Sequence, residues 1–533
     1  MFIVRSRPSV LVLLLVAALL PLGAVRAAAD PARTCPVDPS APARQLRAEW
    51  IASVANIDWP SRPGLTPDRQ RAELRGLYDD AVDTGLNAVV VQVRPTADTF
   101  WPSRLEPWST YLTGTPGRDP GYDPLAFAVR EAHARNLEFH AWFNPYRVSM
   151  GTDRGALAPG SPAARHPDWV RSYGGKLYYD PGLPQVRALT EDVILEVVRR
   201  YDVDAVHFDD YFYPYPVAGQ AFDDDATFAA HGAGFPDTAQ GRADWRRHNN
   251  DLLVSDLDRR VHRVKPWVKL GVSPFAVWRN RATDPRGSAT TAGAQTYDDL
   301  YADTRRWVRQ EWLDYIAPQV YWNIGFAPAD YGVLVPWWAD QVRGTDVQLY
   351  VGQATYKVGT STQDPAWSDP AEMTRHLAFD RTVPEVDGDV YFSAKDVRAD
   401  RLGHMDRVRA DHYRHPAIVP VTAGVPGRAP RPVTHLTARR TSAGVAVTWR
   451  GTGSSYAVYR VAGRADRCTT ADATHLVATV HATGHGTQRS RGPQRYVDRA
   501  PVAGRATYVV TALDRAYRES RSRATRGCCT NRP

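Results

Sequence analysis

Between Arg47 and about His415 the chain alternates strand-like and helix-like segments eight times, and this alternation limits the fold more than any other feature. Short apolar runs fit Glu49–Val54, Asn87–Val93, Glu138–Phe143, Asp204–Phe208, Lys269–Val272, Tyr315–Tyr321, Gln348–Gly352 and Asp389–Phe392. Helical patterns fill the gaps, among them Asp68–Asp83, Asp123–Arg135, Pro184–Tyr201, Asp298–Trp312 and Pro370–Phe379. Several carry end signals: Asp123-Pro124 is an N-cap followed by proline at the first helical position, and Gly85 and Asn136 are left-handed stops. Strands separated by helices pair in parallel, and eight such units close into an α/β fold of the (β/α)8 barrel (TIM barrel) type. Chemistry in such a barrel gathers at the C-terminal ends of the strands.

A composition break follows. Residues 418–432, IVPVTAGVPGRAPRP, read as a Pro/Gly-rich linker, and 433–527 as short alternating strands of a small all-β sandwich. Their order, with Trp449 on an early strand and Ala506-Thr507-Tyr508 late, resembles a fibronectin type III domain. Residues 1–29 read as a secretory signal: Arg5 and Arg7, an apolar Val10–Leu20 too short to span a membrane comfortably, then small residues. That leaves 30–46 as a leader, 47–417 as the barrel and 528–533 as a tail.

Charge is uneven. The signal carries +3, and from Ala429 to Pro533 there are 18 Arg, no Lys and 5 acids, or +13, so 30–428 carries 8 − 3 − 13 = −8. In a secreted, cell-wall-associated protein, a basic tail on an acidic body fits attraction to an anionic wall polymer or lipid headgroups, not to nucleic acid; a solubilising surface is the plain alternative. The four cysteines fit disulfides, with Cys468 expected to pair with Cys528 or Cys529 and the remaining one to reach Cys35. No metal or cofactor motif is present, and nothing requires more than a monomer.

The strand ends carry the chemistry. Val203–Pro216, VDAVHFDDYFYPYP, is an apolar run stopping at Asp209 and Asp210 among Tyr211, Phe212, Tyr213 and Tyr215. Adjacent carboxylates at such a junction are ordinarily capping and surface acids. Here the other strand ends add Asp58, Arg94, Asp98, Trp142, Asn144, Tyr146, Arg147, Gln319, Tyr321 and Trp322. Acids for bond cleavage, amides for hydroxyls and flat rings for sugar faces make a glycan-binding inventory. Each has a dull reading: Trp142 and Tyr146 as core, Asn144 as turn former, Arg94 and Arg147 as salt-bridge partners.

Longer motifs then become recognisable: LEPWSTYLTG, PGYDPL, HAWFNPYRVS, YYDPG, FDDYFYP, GVSPFAVWRNR, YADTRRWV, DYIAPQVYW and LYVGQATYKVG. Through these the chain resembles the glycosyl-hydrolase-like family 10 group, over roughly 48–398. The resemblance implies a (β/α)8 barrel, a cell-envelope location and hydrolysis of peptidoglycan glycan strands. The basic module after Pro432 departs from the family's barrel, and Glu106 is given no catalytic role.

Strand five ends in GVSPF without an acid, so Asp209 and Asp210 form the nearest carboxylate pair. Such a pair resembles those of glycosidases that use the substrate's acetamido group. Asp209 is then expected to hold the amide N–H and Asp210 to protonate the leaving oxygen, with the order open to reversal. Tyr321 is a candidate donor to the acetamido carbonyl, Trp142 or Trp322 a sugar floor, and Asp58, Arg94, Asn144, Tyr146, Tyr211 and Gln319 further contacts. A conventional mechanism would pair Asp210 with Asp58 or Asp98, and Asp180 is a further candidate, though YYDPG reads equally well as a turn. Hydrolysis of another polysaccharide, or wall binding without catalysis, are the competing functions.

Overall fold

A computed structural model describes residues 35, 38, 41–482, 492–502 and 504–525 of the 533-residue chain. The expected signal and Cys528 and Cys529 lie outside the described residues. Eight strands close a parallel barrel: β1 (Leu46–Ile51), β2 (Ala88–Arg94), β3 (Glu138–Phe143), β4 (Ala205–Phe208), β5 (Lys269–Val272), β6 (Tyr315–Ile316), β7 (Gln348–Gln353) and β8 (Val386–Phe392), with β1 bonded to both β2 and β8. The (β/α)8 expectation is borne out. Strand β6 is much shorter than Tyr315–Tyr321, because Pro318 has no N–H to donate and only Gln319 bridges to Phe275 and Gly352 beyond it.

Helix ends follow the sequence signals. Asp123 accepts from the Ala126 N–H at 2.9 Å, Gly85 takes φ 90° and Asn136 φ 59°. Apolar outward residues such as Val89, Val91, Val206, Phe208 and Leu270 pack against the helix layer, while Trp50, Val90, Trp142, Tyr315 and Tyr350 fill the interior.

That interior also contains a polar chain. Lys269 Nζ donates to Glu138 at 2.8 and 2.9 Å; His140 joins Glu138 through Nε2 (3.0 Å) and the Tyr315 hydroxyl through Nδ1 (3.0 Å); and Tyr315 joins His207 Nδ1 at 2.9 Å. At its upper end the Trp50 indole N–H donates to His207 Nε2 at 3.1 Å. An indole only donates, so Nε2 accepts and the His207 proton lies on Nδ1; burial, the larger effect, and His140 push its pKa well down. Tyr315 can hold both imidazoles because its ring lies where a β-carbon on Gly271 would sit, at 2.0 Å.

The C-terminal region forms two antiparallel sheets. One has the order β9 (Thr434–Thr441), β10 (Gly444–Arg450), β13 (Gln494–Asp498); the other β12 (Leu476–His481), β11 (Ser455–Ala462), β14 (Ala506–Leu513), β15 (Arg523–Ala524). It docks under the barrel floor. Arg515 pairs with Asp202 (2.6 Å) and Asp204 (3.4 Å), His481 stacks on His133 at 4.6 Å, and Tyr517 packs against the interior cluster. The connecting segment is tied down: Ile418 N–H donates to Ala43 O, Gln348 donates to Val421 O at 2.8 Å, and Thr422 N–H donates to Ala516 O.

Cys468 bonds Cys35, with Cα atoms 5.3 Å apart, not Cys528 or Cys529. The expected staple within the tail is therefore corrected. Arg44, of the leader, lies beside the C-terminal region, donating to Val419 O and pairing with Glu519, and Cys35 is bonded to the same region.

Candidate active site

Strand β4 stops at Phe208, and Asp209 and Asp210 follow in irregular backbone at the barrel mouth, 4% and 7% exposed. Leaving the strand frees neighbouring side chains from pointing to opposite faces. Asp209 is held from β3 and its loop: Trp142 Nε1 donates to Oδ2 at 3.1 Å and Asn144 Nδ2 to both oxygens at 3.2 and 3.0 Å. The Tyr211 backbone N–H donates to Oδ1 at 3.1 Å. Asp210 reaches across the mouth, where Gln319 Nε2 donates to Oδ1 at 3.0 Å and the Tyr215 hydroxyl bonds Oδ2.

Both carboxyls are raised. Burial pushes Asp209 up to about 7, opposed by Arg147 and reinforced by Asp210; burial raises Asp210 against the bonds from Tyr215 and Gln319. Like charges this close oppose double ionisation, so the two titrate as a unit. Three donors already address Asp209, whereas Asp210 has one per oxygen, and the Tyr215 hydroxyl can reverse to accept. Hydrogen bonding thus favours the proton on Asp210.

Tyr211, Tyr321 and Trp322 are half-buried around the mouth. Tyr211 meets Tyr215 edge-on, Tyr321 lies beside Tyr356 and Phe392 and close enough to Asp210 to feel its charge, and Trp322 packs edge-on to Phe275. Arg94 and Tyr146 lie beneath, fully buried. Both terminal nitrogens and Nε of Arg94 are engaged, by Glu106 at 2.6 Å twice and by the Asn144 and Pro145 carbonyls. Asp58 ties β1 to β8, accepting from Ala52 N (2.7 Å), Ser393 Oγ (2.7 Å) and Lys395 N (3.0 Å), and burial pushes it up to about 6. Asp98 accepts from Thr110 N at 3.2 Å. Asp180 is locked by Thr227, Gly182 and Arg171.

Sequence reasoning undervalued two residues. Tyr215, read as a stacking face, instead brings its hydroxyl to Asp210. Arg147, grouped with Arg94 as a salt-bridge partner, lies over the Tyr211 ring at 4.3 Å and enters no ion pair among the described residues. Among the described residues no cluster of three or more His, Cys, Asp or Glu could hold a metal ion.

Comparison with known proteins gives a consistent assignment. Glycosyl hydrolase YngK of Bacillus subtilis is 46% identical over 489 residues, covering 90% of this chain and 92% of that protein. Glycosyl hydrolase DigH of Escherichia coli is 42% identical over 367 residues, 65% of this chain and 82% of that protein. The PgaB (BpsB) glycoside hydrolase domain of Bordetella bronchiseptica superposes with a TM-score of 0.45 at 14% identity, over 70% of this chain and 99% of that one. The model of the family described as Glycosyl hydrolase-like 10 matches residues 45–369, from β1 through β7. The chain belongs to this family of glycoside hydrolases.

Proposed function

We propose that the protein cleaves the glycan strands of peptidoglycan by substrate-assisted catalysis on N-acetyl sugars. The acetamido oxygen attacks C1, Asp209 holds the amide N–H, and Asp210 gives its proton to the leaving glycosidic oxygen. Water then opens the cyclic intermediate, returning a proton to Asp210. One observation supports this scheme above others: adjacent, buried carboxyls held by different donors. Conventional glycosidases need a second carboxyl across the ring, and the donors on Asp58 hold it between β1 and β8. The reverse order, with Asp209 as acid, is favoured only by its pKa being pushed up to about 7.

A location outside the cytoplasm accords with the Cys35–Cys468 disulfide. The C-terminal region, read as fibronectin type III-like, turns Arg439, Arg450 and Arg495 outward on the β9–β10–β13 sheet, a surface suited to an anionic wall polymer.

The test is mass spectrometry of peptide-stripped strands incubated with the parent and with Asp210→Asn. New fragments from the parent alone support the proposal, and the reducing-end sugar identifies the bond. Undiminished cleavage of N-deacetylated strands refutes the acetamido route, and silence toward all strands refutes the substrate. Loss of selectivity for acetylated sugars in Asp209→Asn, with an acid still working, fixes the order within the pair.

A further inference from the structure

Arg147 opens the short strand Arg147–Ser149 beside the acid pair, its backbone N–H donating to Asn144 Oδ1 at 2.8 Å. The residue is 5% exposed, its side chain hydrogen-bonds Tyr178, its Nε has no hydrogen-bond partner, and it enters no ion pair among the described residues. Other buried arginines here are committed. Arg94 is engaged by Glu106 and two carbonyls, Arg47 by Gln45 and the His415 carbonyl, and Arg247 by Asp244 and the Tyr297 carbonyl. A buried guanidinium with no direct ion pair, facing only the acid pair as counter-charge, is costly to keep, and ligand-binding sites are where such a cost is met.

Its surroundings say what ligand fits. The guanidinium lies on the Tyr211 ring at 4.3 Å, and its charge is felt by both Asp209 and Asp210, so a sugar lying against the acids is within reach of it. Seated over the ring, a guanidinium still has a fork of N–H donors that matches a planar, two-oxygen acceptor. A neutral carbonyl would leave the cation uncompensated, and a doubly charged phosphate would add excess anion beside the acids. We propose that Arg147 is the specificity residue that binds a carboxylate carried by the glycan at the acid pair. Resting on the glycan-strand reading above, this makes the enzyme a reader of carboxylated sugars. The carboxylate has two sources: the lactyl ether of N-acetylmuramic acid, or C6 of a uronic acid.

The experiment is calorimetric titration of the full chain carrying Asp210→Asn, which holds strands without turning them over. The probes are peptide-free peptidoglycan oligosaccharides, the same oligosaccharides with lactyl carboxylates capped as methylamides, and oligosaccharides alternating glucuronate with N-acetylglucosamine. Capping is expected to weaken binding roughly 10- to 100-fold, the worth of a charge-assisted contact. Adding Arg147→Met is expected to weaken the uncapped ligand by the same factor and abolish the difference from the capped one; Arg147→Lys keeps part of it. Tighter binding of the glucuronate ligand than of the uncapped strands assigns the carboxylate to a uronate. Equal affinity for capped and uncapped strands overturns the proposal, as does discrimination that survives Arg147→Met. If Arg147→Met does not fold, the capped and uncapped ligands still decide in the Asp210→Asn chain. Hydrolysis without carboxylate preference removes this inference alone, whereas discrimination without hydrolysis by the parent removes only the catalytic reading.

Discussion

Glu106→Gln tests how the site is held from beneath. Glu106 and Arg94 are wholly buried, joined by two contacts of 2.6 Å, and Arg94 also donates to the Asn144 and Pro145 carbonyls. Asn144 in turn holds Asp209. Glutamine removes the charge and leaves the guanidinium buried without compensation, at a cost of about 3–5 kcal/mol. Against a stability on the order of 5–15 kcal/mol this is a large fraction. An isolated buried ion pair replaced on both sides by apolar residues is near neutral. Here Arg94→Met with Glu106→Leu would still orphan the Asn144 carbonyl at about 1–3 kcal/mol, while Pro145 O keeps Thr190 Oγ1 at 3.4 Å, so the double variant is expected to stay about 1–3 kcal/mol below the parent. Urea unfolding followed by tryptophan fluorescence reads the stability, and strand cleavage reads the site, with kcat/KM falling in both variants as Asn144 loses its anchor. A double variant with parental stability and activity would refute the view that Arg94 is the loop's anchor, and a Glu106→Gln cost below about 1 kcal/mol would refute the desolvated pair.

Three further outcomes follow from the same geometry. Because the acid pair must hold one proton and Asp209 is pushed up to about 7, kcat/KM is expected to fall as pH rises through about 7. Arg147 holds both carboxyls down, so Arg147→Met moves that limb upward; a limb unmoved in a pH–rate profile refutes the electrostatic link. Arg515→Ala removes the partly buried ion pairs to Asp202 and Asp204, worth about 1 kcal/mol. It is expected to speed proteolysis within 414–432, and raised salt should do the same in the parent. Reducing Cys35–Cys468 releases a crosslink across 433 residues, with an expected loss of about 2–4 kcal/mol by urea midpoint; an unchanged midpoint counts against a stabilising role.

The barrel was legible because its strands are apolar runs bounded by helices with clear caps, and the pattern needs no distant partner to be read. Asp209 and Asp210 were legible for the same reason, as a carboxylate pair at the end of such a run. Arg94 and Arg147 show where local pattern runs out. Both arginines follow strand ends amid aromatics, yet Glu106, from the loop after β2, satisfies the first and nothing comparable reaches the second. Their different fates are tertiary facts. Cysteine pairing failed likewise: chain proximity favoured Cys528 or Cys529, whereas docking of the leader beside the C-terminal region selected Cys35. The polar chain from Lys269 to His207 was equally hidden, since Glu138, His140 and His207 look like scattered polar residues until the barrel closes around Tyr315.

That chain connects the two ends of the barrel in one physical argument. At the floor it is ionic, Lys269 against Glu138, both almost fully buried, and there Tyr517 and Arg515 of the C-terminal region cover it. At the mouth it is neutral: Trp50 forces His207 Nε2 to accept, and burial keeps the imidazole uncharged. A charged imidazole two residues before Asp209 would lower the acid pair as Arg147 does, and make the proton that the proposed mechanism needs harder to hold. The fold therefore keeps its directly ion-paired charges at the covered end and leaves Arg147, without a direct ion pair among the described residues, beside the acids. A C-terminal region docked under the floor leaves the mouth uncovered, so on the proposed function the glycan and any polymer held by the C-terminal region would meet opposite faces of the molecule.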